Sequence, residues 1–257
     1  MAPRLRRMLP LLLATVVLAP GGPVAGPAVA TTTPTIAQLI GQKLVVAMSG
    51  TTPSASLLGR IQRGEIGGVI LFGANITSAA QLRSLTDRLA AAAAAGGQPK
   101  LLITTDQEGG DVARLDWAPP TLSAPEMGAL GSVTTASAQG KAAGYVLRCA
   151  GINSDLAPVA DVPASSTSFM YRDGRTWSFD APVTAKLSDA FASGLEAGGD
   201  VPAMKHFPGI GLATIDAISK RDYPVLQGIF LILTMSVIVA NYIADLVYFK
   251  LDPRVTE

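Results

Sequence analysis

At 257 residues the chain has room for one large domain or two small ones, and its 20 basic and 19 acidic side chains nearly cancel to +1, which excludes the basic field that a nucleic-acid partner needs. One cysteine, Cys149, excludes an intramolecular disulfide and a cysteine-built zinc site, and neither a metal nor a cofactor is expected. Hydrophobic residues make up 49% of the chain but aromatic ones only 5%, so the core is expected to be small and aliphatic, with membrane segments in reach of the composition.

The N-terminus has the layout of an export signal over residues 1–30. Arg4, Arg6 and Arg7 form a basic start, Leu9 to Leu18 a short apolar stretch, and Ala28-Val29-Ala30 a small-residue cleavage site. The apolar stretch is too short to span a bilayer as a helix. The mature chain is expected to begin at Thr31, outside the cytoplasm.

Strand-like and helix-like patterns then alternate. Short, nearly continuous apolar runs predict strands over 43–48, 68–72, 101–105, 152–158 and 201–206. Between them, helices are predicted over 53–63, 78–95, 133–150 and 182–197, the second opening on Thr77-Ser78 as an N-cap. Runs apolar on both faces predict a parallel sheet covered on both sides. Tyr145, Val146, Leu147 and Ala150 around Cys149 predict a buried thiol at a helix end. Residues 226–249 are apolar except for Gln227, Ser236, Asn241 and Asp245, about the length that crosses a bilayer as a helix. Tyr242, Tyr248, Phe249, Lys250 and Arg254 supply an aromatic and cationic boundary on its C-terminal side.

Polar side chains gather where the predicted strands end: Asn75, Asp106, Asp155, Asp161, Lys205 and His206. Parallel α/β folds collect their chemistry at such ends. The richest rim is Lys205-His206-Phe207-Pro208-Gly209, which carries the chain's one histidine and turns on Pro-Gly.

Four blocks in this order resemble glycoside hydrolase family 3, over residues 36–211. They are Gly67-Gly68-Val69-Ile70-Leu71-Phe72-Gly73-Ala74-Asn75, the stretch from Thr105-Asp106-Gln107-Glu108-Gly109-Gly110 to Arg114, Ile152-Asn153-Ser154-Asp155-Leu156-Ala157-Pro158-Val159-Ala160-Asp161-Val162, and Lys205-His206-Phe207-Pro208-Gly209. The last is most similar to the β-N-acetylhexosaminidase branch and is shared in large part by the β-glucosidase branch. The resemblance implies an α/β fold of the TIM type, here an incomplete (β/α) barrel of about five strands followed by one transmembrane-like helix. It implies a carbohydrate partner, an N-acetylglucosamine-containing glycan or a β-glucoside, and a pocket in which Asp106, Arg114, Arg175, Lys205 and His206 bind substrate. Glu108 is implied to support its loop rather than to act as a general acid.

The family's retaining chemistry uses an aspartate nucleophile on a later strand, in a Ser-Asp-Asp-like block. These 257 residues contain no such block after Lys205, so the catalytic set is left open, with Asp216 as a weak candidate at the place of the family's paired aspartate. Ala217 and Ile218 stand where that pattern has Ser-His. From Arg221-Asp222-Tyr223-Pro224 to Leu251-Asp252-Pro253-Arg254 the sequence instead resembles the last helix and tail of dipeptide or oligopeptide ABC-transporter permeases. The expected organisation is therefore a signal peptide over 1–30, a partial hydrolase barrel over 31–214, a junction over 215–225, a transmembrane-like helix over 226–250 and a tail over 251–257. The expected activity is that of a glycosidase acting on O-glycosyl bonds, with turnover lost in this truncated form. The alternatives are a membrane-tethered, non-catalytic sugar-binding remnant and a permease fragment. The expected location is outside the cytoplasm, anchored in the plasma membrane by residues 226–249.

Overall fold

The structure, a computed structural model, describes residues 33–206, 217–218 and 221–251, with side chains to residue 242. The expected signal peptide, Phe207-Pro208-Gly209 of the richest strand-end block, Asp216 with junction residues 215, 219 and 220, and all of the tail except its first residue lie outside the described residues. The elements below belong to the compact unit Thr35–Glu257.

Each long helix starts where a hydroxyl or carboxylate side chain accepts from a free backbone N–H of the first turn. Ser54 caps α2 (Ala55–Gln62), Ser78 caps α3 (Ala79–Ala95), Ser132 caps α5 (Val133–Cys149) and Asp180 caps α7 (Ala181–Gly198). Shorter helices are α1 (Ile36–Gly41), α4 (Ala124–Leu130) and α6 (Phe169–Arg172). Five strands form one parallel sheet in the order β1 (Val45–Ala47), β2 (Gly68–Ile70), β3 (Leu102–Thr105), β6 (Ser154–Asp155) and β7 (Val201–Pro202). Between β3 and β6 the chain makes a small antiparallel hairpin, β4 (Gln107–Gly109) with β5 (Val112–Ala113). The last helix, α8, runs over Tyr223–Leu251. Thus every expected strand is present in chain order, and α8 begins and ends slightly beyond the expected span.

The sheet's two faces differ. On one, Val69, Leu71 and Ile103 are buried with Leu82, Leu85 and Leu89 of α3 in a single apolar cluster. On the other, parallel register aligns Val45 with Gly68 and Gly68 with Leu102, and Ser154 with Val201. There Val45, Leu102 and Val201 are exposed. Gly68, Thr104 and Ser154 of the same face are buried, so the expectation that both faces are covered fails only in part. In a closed barrel the second face fills the interior, whereas the five described strands leave part of it exposed. Cys149 also departs from expectation, being exposed. The buried stripe of α5 is Ala136, Gly140, Ala143, Gly144 and Leu147 at helical spacing, and Cys149 lies two residues past Leu147, off that stripe.

Candidate functional site

Asp106 directly follows β3, Glu108 lies in β4, and Lys205 follows β7. The order of the sheet brings these strand ends to the same edge, with β6 between β3 and β7. Lys205 Nζ sits 2.7 Å from Asp106 Oδ1 and 2.5 Å from Glu108 Oε1. Arg175, delivered by the turn after α6, reaches Glu108 with two donors, Nη2 to Oε1 at 2.6 Å and Nε to Oε2 at 2.9 Å. That fork geometry matches a carboxylate, and the bond to Glu108 raises the Arg175 pKa above its ordinary value, so the guanidinium stays charged. Arg114 Nη2 lies 3.5 Å from Asp106 Oδ2, and its guanidinium stands 6.0 Å from the centre of the Phe72 ring.

These five groups form one network of three cations and two carboxylates, all mostly screened from solvent. The excess cation and the remaining lone pairs of Asp106 leave both donors and acceptors for a polar ligand. His206 stands beside Lys205 with its Nδ1 2.5 Å from Asp161 Oδ2. Of the six residues expected to contribute, Asp106, Arg114, Arg175 and Lys205 are linked directly or through Glu108, His206 pairs separately with Asp161, and Asp216 is not described.

The local chain explains the placement. Gln107 donates its amide to the carbonyls of Leu115, Ala118 and Pro119 and accepts from the N–H groups of Arg114 and Leu115. One buried side chain thereby shapes the loop that carries Arg114. Beneath the network Asp155 is buried; Gln107 N–H donates to its Oδ1 at 2.8 Å. Burial pushes its carboxyl up to about 8, with the Gln107 bond opposing. Asn75, although at a strand end, is structural: it holds the carbonyls of Met48 and Gly50 and accepts from Phe72 N–H. Two partners stand outside the expected binding set, Glu108 and Asp161. Both acids lie inside blocks that the sequence marks, Glu108 two residues after Asp106 and Asp161 at a predicted strand end, but neither position reveals which cation or imidazole it meets.

Comparison with known proteins gives this geometry a family. The sequence profile described as glycosyl hydrolase family 3 N terminal domain matches residues 34–228. A second profile, binding-protein-dependent transport system inner membrane component, matches residues 204–257. A secreted glycosyl hydrolase of Arthroderma benhamiae is 34% identical over 195 residues, which are 74% of this chain and 53% of that protein. Beta-hexosaminidase A of Pseudoalteromonas piscicida is 34% identical over 211 residues, 71% of this chain and 34% of its own length. The crystal structure of a beta-N-acetylhexosaminidase from Beutenbergia cavernae superposes with a TM-score of 0.62 at 33% identity, covering 69% of this chain and 55% of that one. The chain thus spans about half, or less, of the length of these relatives. With the profile covering 34–228 and the strand-end network in place, the chain belongs to glycosyl hydrolase family 3.

Proposed function

We propose that this chain presents a sugar pocket of the β-N-acetylhexosaminidase type, built from Asp106, Arg114, Arg175, Lys205 and His206, without turnover of its own. The single observation that carries the reading is the Asp106–Lys205–Glu108–Arg175 network at the strand ends. A carboxylate braced by cations accepts hydrogen bonds from vicinal hydroxyls, and the neighbouring ammonium and guanidinium groups donate to ring and acetamido oxygens. The ligand is an N-acetylglucosamine-containing glycan, with a β-glucoside as the other member of the class. Retaining hydrolysis needs an aspartate that attacks the anomeric carbon and a second group that protonates the leaving oxygen. The 257 residues carry no Ser-Asp-Asp-like block after Lys205, so binding without cleavage is the expected behaviour. The domain plan is an export signal over 1–30, the pocket over 31–214, a junction over 215–225 and a tether over 226–250 with its short tail over 251–257. The tether is supported by the transport-component match and by an apolar helix long enough to cross a membrane over Tyr223–Tyr242. That match also supports the other reading, a permease fragment carrying a hydrolase remnant.

The test uses the full chain in detergent micelles. Titration with N-acetylglucosamine, read by saturation-transfer NMR, is expected to show binding that Asp106→Ala removes. Release of chromophore from an aryl N-acetylglucosaminide is expected at the level of buffer. Absence of sugar binding would leave the permease-fragment reading in its place, and turnover that disappears in Asp106→Ala would show a working catalytic carboxylate in this chain.

A further inference from the structure

Asp161 is a buried carboxylate, 7% exposed, and its side chain meets no lysine or arginine among the described residues. Its partner is His206, whose Nδ1 lies 2.5 Å from Asp161 Oδ2. The backbone builds this meeting. Val159 bridges Lys205 in parallel register, Lys205 N–H donates to Pro158 O at 3.1 Å, and Ala160 N–H donates to Lys205 O at 2.6 Å. Trp177 Nε1 fastens the same stretch by donating to Val159 O at 2.8 Å. Asp161 and His206 are therefore the next residues along two paired segments, one fixed against the other. The imidazole keeps 40% of its surface exposed, while the Asp161 side chain keeps 6%.

An ionised carboxylate only accepts hydrogen bonds, so the proton between the two belongs to Nδ1. In the neutral ring the other nitrogen, Nε2, then holds a lone pair. We propose that Asp161 is a positioning residue that fixes His206 as the Nδ1–H tautomer and makes Nε2 a hydrogen-bond acceptor for a ligand hydroxyl. Lys205, which has no lone pair, supplies the neighbouring donor. The two consecutive residues thus offer one donor and one acceptor, a match for adjacent hydroxyls of which one accepts and the other donates. Only the identity of that ligand rests on the sugar-pocket reading; the tautomer stands apart from it.

The chain has one histidine, so a 15N-histidine label gives a single imidazole spectrum. The full chain in micelles is measured by long-range 1H–15N correlation at about pH 8.5, well alkaline of the free imidazole's ordinary value. The expected spectrum has Nδ1 protonated and Nε2 of the pyridine type. Asp161→Ala is expected to release the tautomer and to weaken N-acetylglucosamine binding roughly tenfold, the scale of one lost hydrogen bond. Asp161→Asn, whose amide oxygen still accepts, is expected to restore both. A purely structural Asp161 would lower the melting temperature and leave the tautomer of the folded variant unmoved. Protonated Nε2 in the unsubstituted chain, or an unchanged tautomer in folded Asp161→Ala, would overturn the assignment; if Asp161→Ala does not fold, the unsubstituted spectrum and Asp161→Asn decide. The expected tautomer together with no N-acetylglucosamine binding would uphold Asp161 and remove the sugar-pocket reading instead.

Discussion

Asp155, beneath the network, and Asp200, just before β7 and near Arg148 and Lys100, are two buried carboxyls that each depart from their ordinary acidity. Burial raises Asp155 to about 8, with Asp200 and Asp106 adding to the rise and Lys205 opposing it. Its Oδ2 has no partner among the described residues. Asp200, buried just before β7, is pushed by burial to about 6, with the Val201 N–H opposing. An acid whose pKa rises on folding holds its proton in the native state after the unfolded chain has released it. Stability contributed by the protonated form is then complete below the unfolded value and lost as pH rises through the folded one. The window runs from 3.8 to about 8 for Asp155 and from 3.8 to about 6 for Asp200. The melting temperature is therefore expected to fall between pH 5 and pH 8, at up to about 1.4 kcal/mol per pH unit for each group still protonated only in the fold. Asp155→Asn keeps an acceptor for Gln107 N–H and cannot ionise, so it should flatten the slope above about pH 6 and raise the melting temperature at pH 8 by several degrees. Thermal scans of both chains across that range check this, and parallel curves would show that Asp155 does not titrate in the window.

Among the elements, the contact of α5 with α7 is set by glycine. A Cβ on Gly140 would collide with the carbonyl oxygen of Phe191, and one on Gly194 with that of Ser137. The helices lie closer than side chains allow, and neither can back away without opening the cluster around Leu147, Phe191 and Leu195. Gly140→Ala is expected to cost about 1–3 kcal/mol through overpacking. Gly73→Ala, with nothing within 4 Å of the new methyl, is the control. Equal melting temperatures for the two variants would show that the helix pair yields. What the sequence makes legible at this scale is the alternation itself, because apolar runs and capping residues such as Ser54, Ser78 and Asp180 are local signals. The hairpin of β4 and β5 carries no such pattern. It depends on Gln107, whose amide reaches carbonyls well down the chain. The site divides in the same way. Asp106, Arg114, Arg175 and Lys205 stand out as motif residues, whereas the bracing by Glu108 and the pairing of Asp161 with His206 are long-range events that no spacing encodes.

For the molecule as a whole, the unresolved tension is apolar surface. Val45, Leu102 and Val201 line the open side of the sheet, and Phe230, Leu231, Ile232 and Val237 are exposed along α8. The 29 residues of α8 exceed the roughly 20 that span a hydrocarbon core, and its apolar side chains have no protein face to meet along most of the described length. Burying such a surface in lipid is far more favourable than hydrating it, so α8 and the open side of the sheet are separate liabilities. Expressed in bacteria, the full chain is expected in the membrane fraction, retained through an alkaline carbonate wash and released by detergent. A chain lacking residues 223–257 should leave that fraction. Because the sheet still shows Val45, Leu102 and Val201, the shortened chain should then associate or aggregate rather than run as a monomer. Fractionation with size-exclusion chromatography separates the two contributions. A full chain that stays soluble as a monomer without detergent would mean that α8 packs against protein, and a shortened chain that melts cooperatively as a monomer would mean that five strands suffice for this half of the barrel.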